Sequence, residues 1–137
     1  IYFEVLFPDR IVSGWSRNDG SVVGKLVYDR KSFMFTGDAT TKTESIVSFR
    51  NSKDALESDV LKIGHHGSKT STSQLWLDAV TPEYAIVSYG FANRYGHPHK
   101  LTIDKILSRN IKLLETAKDG TIVCTTDGLE LDCNGEL

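Results

Sequence analysis

All four histidines of this chain, His65, His66, His97 and His99, fall within a 35-residue window, and each follows a β-rich run. Asp38 follows another such run and sits between Gly37 and Ala39. Imidazoles and a carboxylate carried on small-residue loops form a donor set for zinc, manganese or iron. Gly64 opens the backbone before the adjacent pair and Gly67 follows it. Adjacent side chains on a loop diverge, so one of the two binds a metal directly. His65 is the expected ligand with Asp38, and His66 the group that meets substrate or moves a proton. His97 has Gly96 beside it and Pro98 to stiffen its loop, which makes it the better reactive group of the second pair. Asp38 also suits a helix N-cap.

Around these residues lie hydrogen-bond donors. Ser68, Lys69 and Thr70 precede a helix start, where backbone N–H groups and the dipole attract anions. Asn93, Arg94 and His99 flank His97, and Arg94 can grip a phosphate through two parallel hydrogen bonds. Both clusters are read as substrate contacts. The plainer alternatives are a solvated capping loop and a polar turn. Glu44 reads as a first-turn anion of a helix, Asp59 as a strand-start residue, and Trp76 as core.

The elements that must hold these groups alternate. Tyr2–Phe7 reads as a strand stopped by Pro8. Ser21–Tyr28 and Ser32–Thr36 read as a hairpin around Asp29-Arg-Lys31. Thr41–Phe49 has helical spacing with Ile46, Val47 and Phe49 apolar, and 51–58 is a polar connection. Val60–Ile63 is a short central strand. Thr72–Val80 is a helix with Leu75, Trp76, Ala79 and Val80 inward, capped by Ser71, Thr72 or Ser73. Tyr84–Ser88 is a strand, and 101–110 a helix with Leu101, Ile103, Ile106 and Leu107 in register. Three strands, 111–114, 121–125 and 129–132, close the chain, the last two joined at Asp127-Gly128. This order implies a layered α/β domain, whose strand ends collect ligands at one sheet edge.

With 137 residues, 39% of them apolar and a net charge of −2, the composition fits one globular domain without a global basic field. No apolar run approaches the ~20 residues of a membrane span, and no signal peptide is visible. Cys124 and Cys133 are outside any CxxC motif. They are expected as buried free thiols, with a hairpin disulfide as the alternative. The chain starts at Ile1 inside a strand-like run and reads as part of a longer polypeptide.

Four stretches, Asn18-x-x-Ser21, Phe35-Thr-Gly-Asp-Ala39, Asp59-Val-Leu-Lys-Ile-Gly-His-His-Gly-Ser-Lys-Thr-Ser71 and Asn93-Arg-Tyr-Gly-His-Pro-His99, occur in this order. In order and spacing they resemble the C-terminal half of the metallo-β-lactamase-fold domain of ComEC-type competence proteins. The resemblance covers nearly the whole chain. It implies the C-terminal half of an αββα sandwich with a site for two divalent metal ions, zinc or manganese. Asp38 would be the bridging aspartate, and His65 the strand-end ligand. The implied activity is that of a phosphodiesterase or nuclease acting on DNA during uptake. Two metals about 3.5–4 Å apart would activate a water, with His66 and His97 as catalytic groups. The implied setting is a domain beside a membrane channel of the same bacterial inner-membrane protein, on its extracytoplasmic face, with a cytoplasmic position as the alternative.

Two departures stand out. The His-x-His-x-Asp-His motif of the superfamily, carried on the first half of the fold, does not occur here. The resemblance therefore implies weak metal binding and no activity for this chain alone, with one sheet face open. The run Glu115-Thr-Ala-Lys-Asp-Gly-Thr-Ile122 replaces the aromatic-Arg-Thr-Asp that members carry before Gly-Thr-Ile. Two other readings stay open. One is a hydrolase of the same fold acting on lactones, thioesters, β-lactams or small phosphodiesters. The other is a non-catalytic structural module of a membrane transporter.

Overall fold

The structure is a computed structural model, and it describes residues 1–136. Six strands form one mixed sheet in chain order: β1 (Tyr2–Phe7), β2 (Val23–Tyr28), β3 (Lys31–Phe35), β4 (Val60–Lys62), β5 (Tyr84–Val87) and β6 (Lys112–Glu115). The first three pair antiparallel, and β3 through β6 run parallel. Helices α1 (Thr41–Arg50) and α2 (Lys53–Leu56) link β3 to β4. Helix α3 (Gln74–Val80) links β4 to β5, and α4 (Lys100–Leu107) links β5 to β6. A last short helix, α5 (Thr116–Asp119), leads into the separate hairpin β7 (Thr121–Thr126) and β8 (Leu131–Glu136). Parallel neighbours need crossover connections, and the helices supply them.

The main core lies between the sheet and the helices. Met34, Leu61, Ala85 and Val87 point into it from the strands, and Val47, Leu56, Trp76, Leu77, Val80 and Ile106 from the helices. Ser73 caps α3 by accepting from the Trp76 N–H at 3.1 Å. The expected helix faces need correction. Leu75, Leu101, Leu107 and Phe49 are exposed, and Leu77 takes the inward place expected of Leu75. The cause is where each helix sits on the sheet. A short helix in contact with only part of a twisted sheet buries a narrower stripe than its apolar residues span.

On the other face, Val60, Tyr84 and Leu114 pack against the β7–β8 hairpin, which contributes buried Cys133. The two cysteines are directly opposed in the hairpin register, with Cα atoms 4.1 Å apart, and are joined in a disulfide. This overturns the expectation of two free thiols. The β7–β8 register brings residues nine apart in sequence into one cross-strand pair, which the sequence spacing does not reveal. The three final strands also do not form one unit, since β6 completes the main sheet.

Toward β1 the same face is uncovered. Phe3 is 51% exposed, Val5 56% and Phe35 40%. Gly24 makes room there: a Cβ on it would lie 2.4 Å from the Phe3 ring, which leans to within 6.3 Å of Phe35.

Candidate metal and phosphodiester site

Asp38, the His65–His66 pair and the loop of His97 leave the C-terminal ends of β3, β4 and β5, three adjacent parallel strands. Backbone hydrogen bonds join these loops. The His65 N–H donates to Gly37 O at 3.0 Å, the Thr41 N–H to Thr70 O at 2.9 Å, and the His99 N–H to Gly67 O at 2.8 Å. A Cβ on Gly67 would stand 2.6 Å from Pro98 Cβ, so the close approach of the second and third loops requires glycine there. The Thr102 hydroxyl donates to Ser68 O at 3.1 Å and Ser71 Oγ to Gly64 O at 2.8 Å, so α4 and the loop's own serine hold the turn from below.

Both histidines of the pair have left-handed backbone, with φ of 48° and 54°. This is uncommon outside glycine, and histidine is among the residues that tolerate it best. The two rings stand edge to face with their centres 6.5 Å apart. His66 swings toward Asp38: its Nε2 is 3.7 Å from Asp38 Oδ1. Its Nδ1 is 2.8 Å from Ser88 O. A carbonyl oxygen only accepts, so the Nδ1 carries the hydrogen and donates. In the neutral ring, Nε2 then presents a bare lone pair to the carboxylate, separated from it by more than a hydrogen-bond length.

His65 is half-buried, with its Nδ1 3.5 Å from Thr70 Oγ1 and its ring 5.6 Å, edge-on, from that of His97. Burial pushes the His97 imidazole below its usual value, and the neighbouring His65, His66 and His99 add to this. Asp38 works in the other direction. The ring of Tyr95 stacks on His97 at 5.9 Å, and the Arg94 guanidinium lies 5.0 Å from the Tyr95 ring centre.

The remaining expected residues are placed as follows. Ser68 is buried, its hydroxyl 3.0 Å from Thr70 Oγ1, and Lys69 and Thr70 are exposed. Asn93 spends its side chain on its own loop. Its Nδ2 donates to Gly90 O and His97 O, and its Oδ1 accepts from the Tyr95 and His97 N–H groups. His99 is the N-cap of α4, its Nδ1 accepting from the Leu101 N–H at 3.3 Å.

Three residues near the site carry roles that their sequence context did not announce. Lys62, at the end of β4, donates to Ile63 O, and burial pulls its ammonium below the ordinary lysine value while Asp38 counters. Tyr89 opens the loop of His97 and donates to Glu115 at 3.2 Å, and Thr116 is bonded to the backbone of Tyr89 in both directions. The departing run that starts at Glu115 thus anchors this loop. Glu44 is buried, and its carboxylate accepts the N–H groups of Thr72 and Ser73. It anchors the end of the histidine loop in addition to sitting in the first turn of its own helix.

The donor chemistry of Asp38 and the imidazoles fits a divalent cation as part of a ligand set. Among the described residues, no three His, Cys, Asp or Glu side chains converge closely enough to hold one alone. Among the same residues, no helix is long and apolar enough to cross a membrane.

No family model matches the chain. It is 40% identical over 105 residues to "Competence protein ComA" of Neisseria gonorrhoeae, 77% of this chain. Identity is 36% over 122 residues, 89% of this chain, to "ComE operon protein 3" of Bacillus subtilis (strain 168). It is 36% over 123 residues, again 89%, to "Recombination protein 2" of Haemophilus influenzae (strain ATCC 51907 / DSM 11121 / KW20 / Rd). The chain spans about 15% of the length of each of these relatives. Over most of its own length, then, the chain is homologous to one segment of much longer proteins, one of them named a competence protein.

Proposed function

We propose that this chain is the C-terminal half of a metallo-β-lactamase-type hydrolase domain, and that the domain cuts phosphodiesters of DNA during uptake. The observation that carries the reading is the arrangement at the strand ends. A carboxylate and an imidazole lone pair face each other 3.7 Å apart, with the imidazole's other nitrogen held by a backbone carbonyl. Metal-binding histidines are oriented by this kind of outer hydrogen bond. Two like-acting acceptors so close are stabilised by a cation between them.

Asp38 and the His65–His66 pair would hold the metal on this side, His66 through Nε2. Divalent ions, when bound, supply a Lewis acid that activates water and balances charge on phosphoryl oxygens. His97, favoured neutral near pH 7 by its burial, can accept a proton or hydrogen-bond a phosphate oxygen. Arg94 and Lys69 are exposed cations that would hold backbone phosphates without reading sequence. Ser68, Thr70, Asn93 and His99 would act through the shape of their loops. The missing ligands would come from an upstream half carrying His-x-His-x-Asp-His, and its sheet would cover the apolar face of Phe3, Val5 and Phe35. The name of the Neisseria gonorrhoeae relative supports a role in competence. The cross-strand disulfide supports the extracytoplasmic side of a bacterial inner membrane, where such bonds persist.

The test uses the full-length protein. Zinc and manganese are titrated into wild type, Asp38→Asn, His65→Ala and His66→Ala, and hydrolysis of DNA, a small phosphodiester, a lactone and a β-lactam is compared. The reading requires metal-dependent cleavage of DNA that Asp38→Asn abolishes. Preference for a lactone or β-lactam would keep the fold and change the substrate. Absence of metal binding, or of the histidine motif upstream, would leave a structural module.

A further inference from the structure

The loop between β5 and α4 carries more aromatic surface than metal binding or phosphate contact needs. Tyr95 is 67% exposed and Phe91 88%. Together with His66, Tyr89, Gly90, Asn93 and His97, Tyr95 lines a recess of about 200 Å³ that adjoins the Asp38–His66 pair. Phe91 lies on the far side of the same loop, in a second cleft that shares Tyr89, Asn93 and His97 with the first and ends at Lys118. The first recess is lined mainly by the rings of two tyrosines and two histidines. Its one amide, Asn93, is spent on its own backbone. The neighbouring cation, Arg94, donates to the Tyr95 hydroxyl at 2.8 Å, with its guanidinium 5.0 Å from the ring centre.

We infer that the recess formed by Tyr95, Tyr89 and Gly90 receives one unpaired nucleobase, so that the site takes single-stranded DNA in preference to duplex. The inference rests on the phosphodiester reading above and deepens it. Every base has a π face, so a ring-walled slot accepts any base by stacking and reads no sequence. A base in a duplex is paired and stacked on both sides and cannot enter without being extruded from the stack. Arg94 at the rim places a positive charge where the phosphate next to the bound base would lie. The electrostatics and the shape therefore select the same ligand: an anionic chain with free aromatic faces.

Two substitutions probe the recess independently. Tyr95→Ala removes the platform, and Tyr95→Phe keeps the ring while giving up only the hydroxyl that accepts from Arg94. Gly90→Leu fills the slot. A Cβ on Gly90 meets nothing within 4 Å, so this change is sterically open to the fold. The measurement is fluorescence anisotropy of a labelled oligothymidylate and of a hairpin duplex of equal length. It uses the full-length protein in chelator, so that no strand is cut. Tyr95→Ala and Gly90→Leu are expected to weaken single-strand binding roughly 5- to 100-fold, with duplex binding held within about twofold and Tyr95→Phe equal to wild type. Equal losses on both forms, or wild-type single-strand binding by Gly90→Leu, would overturn the recess and leave the phosphodiester reading standing. No binding of either oligonucleotide by wild type in chelator would overturn the recess, while the phosphodiester reading falls only if metal-dependent cleavage of DNA is absent.

Discussion

Asp38 Oδ1 and His66 Nε2 face each other at 3.7 Å, and the far nitrogen of the same ring donates to Ser88 O at 2.8 Å. The carbonyl decides the tautomer, since it cannot donate. Nitrogen-15 NMR of metal-free protein at neutral pH is expected to show His66 protonated at Nδ1, with a bare Nε2. Zinc addition should then move the Nε2 resonance and leave Nδ1 little changed. A ring protonated at Nε2 would remove this side of the proposed metal site.

Gly67 and Pro98 touch where the second and third loops meet. Gly67 has φ of +79°, and a Cβ there would lie 2.6 Å from Pro98 Cβ. Gly67→Ala meets both backbone strain and a backbone-fixed ring, so the loops must part. The expected loss of stability is about 1–3 kcal/mol, read by urea unfolding. The contact between the His65 and His97 rings should be lost with it, read by the disappearance of their mutual ring-current shifts. Pro98→Ala in the same background is not expected to restore stability, because alanine keeps the Cα and Cβ that the new methyl meets and the left-handed backbone at residue 67 remains.

The disulfide closes the β7–β8 hairpin that covers Val60, Tyr84 and Leu114. Cys124→Ala with Cys133→Ala is expected to cost about 2–3 kcal/mol by the loop-closure account for a short loop. Thermal unfolding with and without reductant checks this. Reductant should lower the melting temperature of wild type and leave the double variant unmoved. The residues proposed to hold metal and DNA lie on the loops after β3, β4 and β5 and not on this hairpin, so zinc affinity of the folded double variant should match wild type.

Glu44 yields a pH signature. Burial pushes its carboxyl above the ordinary glutamate value of 4.5, outweighing the N–H groups of Ser73 and Thr72 and the field of Lys105. The folded state therefore binds the proton more readily than the unfolded chain. The associated stability is fully present below about 4.5 and is lost as pH rises through the folded value. Asp9, held at about 2 by its hydrogen bond to Arg10 together with Arg50, has the opposite sign and titrates below this window. Urea midpoints from pH 4 to pH 7 should fall more steeply for wild type than for Glu44→Gln, which has no carboxyl to ionise. Parallel curves would mean that Glu44 titrates in the folded protein as it does in the unfolded chain.

Much of this protein could be read from short-range pattern alone. Strand β1, the β2–β3 hairpin, the helices between parallel strands and the Asp127 turn depend on local alternation, caps and turn chemistry, and these are written in neighbouring residues. The motif Gly64-His-His-Gly67 pointed to a candidate site because small residues around paired imidazoles have few other uses. The strand ends that carry Asp38, His65 and His97 were expected to converge at one sheet edge, and β3, β4 and β5 are adjacent in the sheet.

Tertiary structure decided the rest. Which imidazole turns to Asp38 depends on two left-handed residues and on Ser88, a partner 22 positions away. Leu77 rather than Leu75 is buried because the sheet, outside the helix, chooses the stripe. Glu44 is an anchor because Thr72 and Ser73 arrive over it from another element, and Cys124 meets Cys133 because the hairpin register brings them together. Residue types and spacing determine which chemistry is available. Orientation and burial are set by contacts between segments distant in the chain, and only the folded chain brings those segments together.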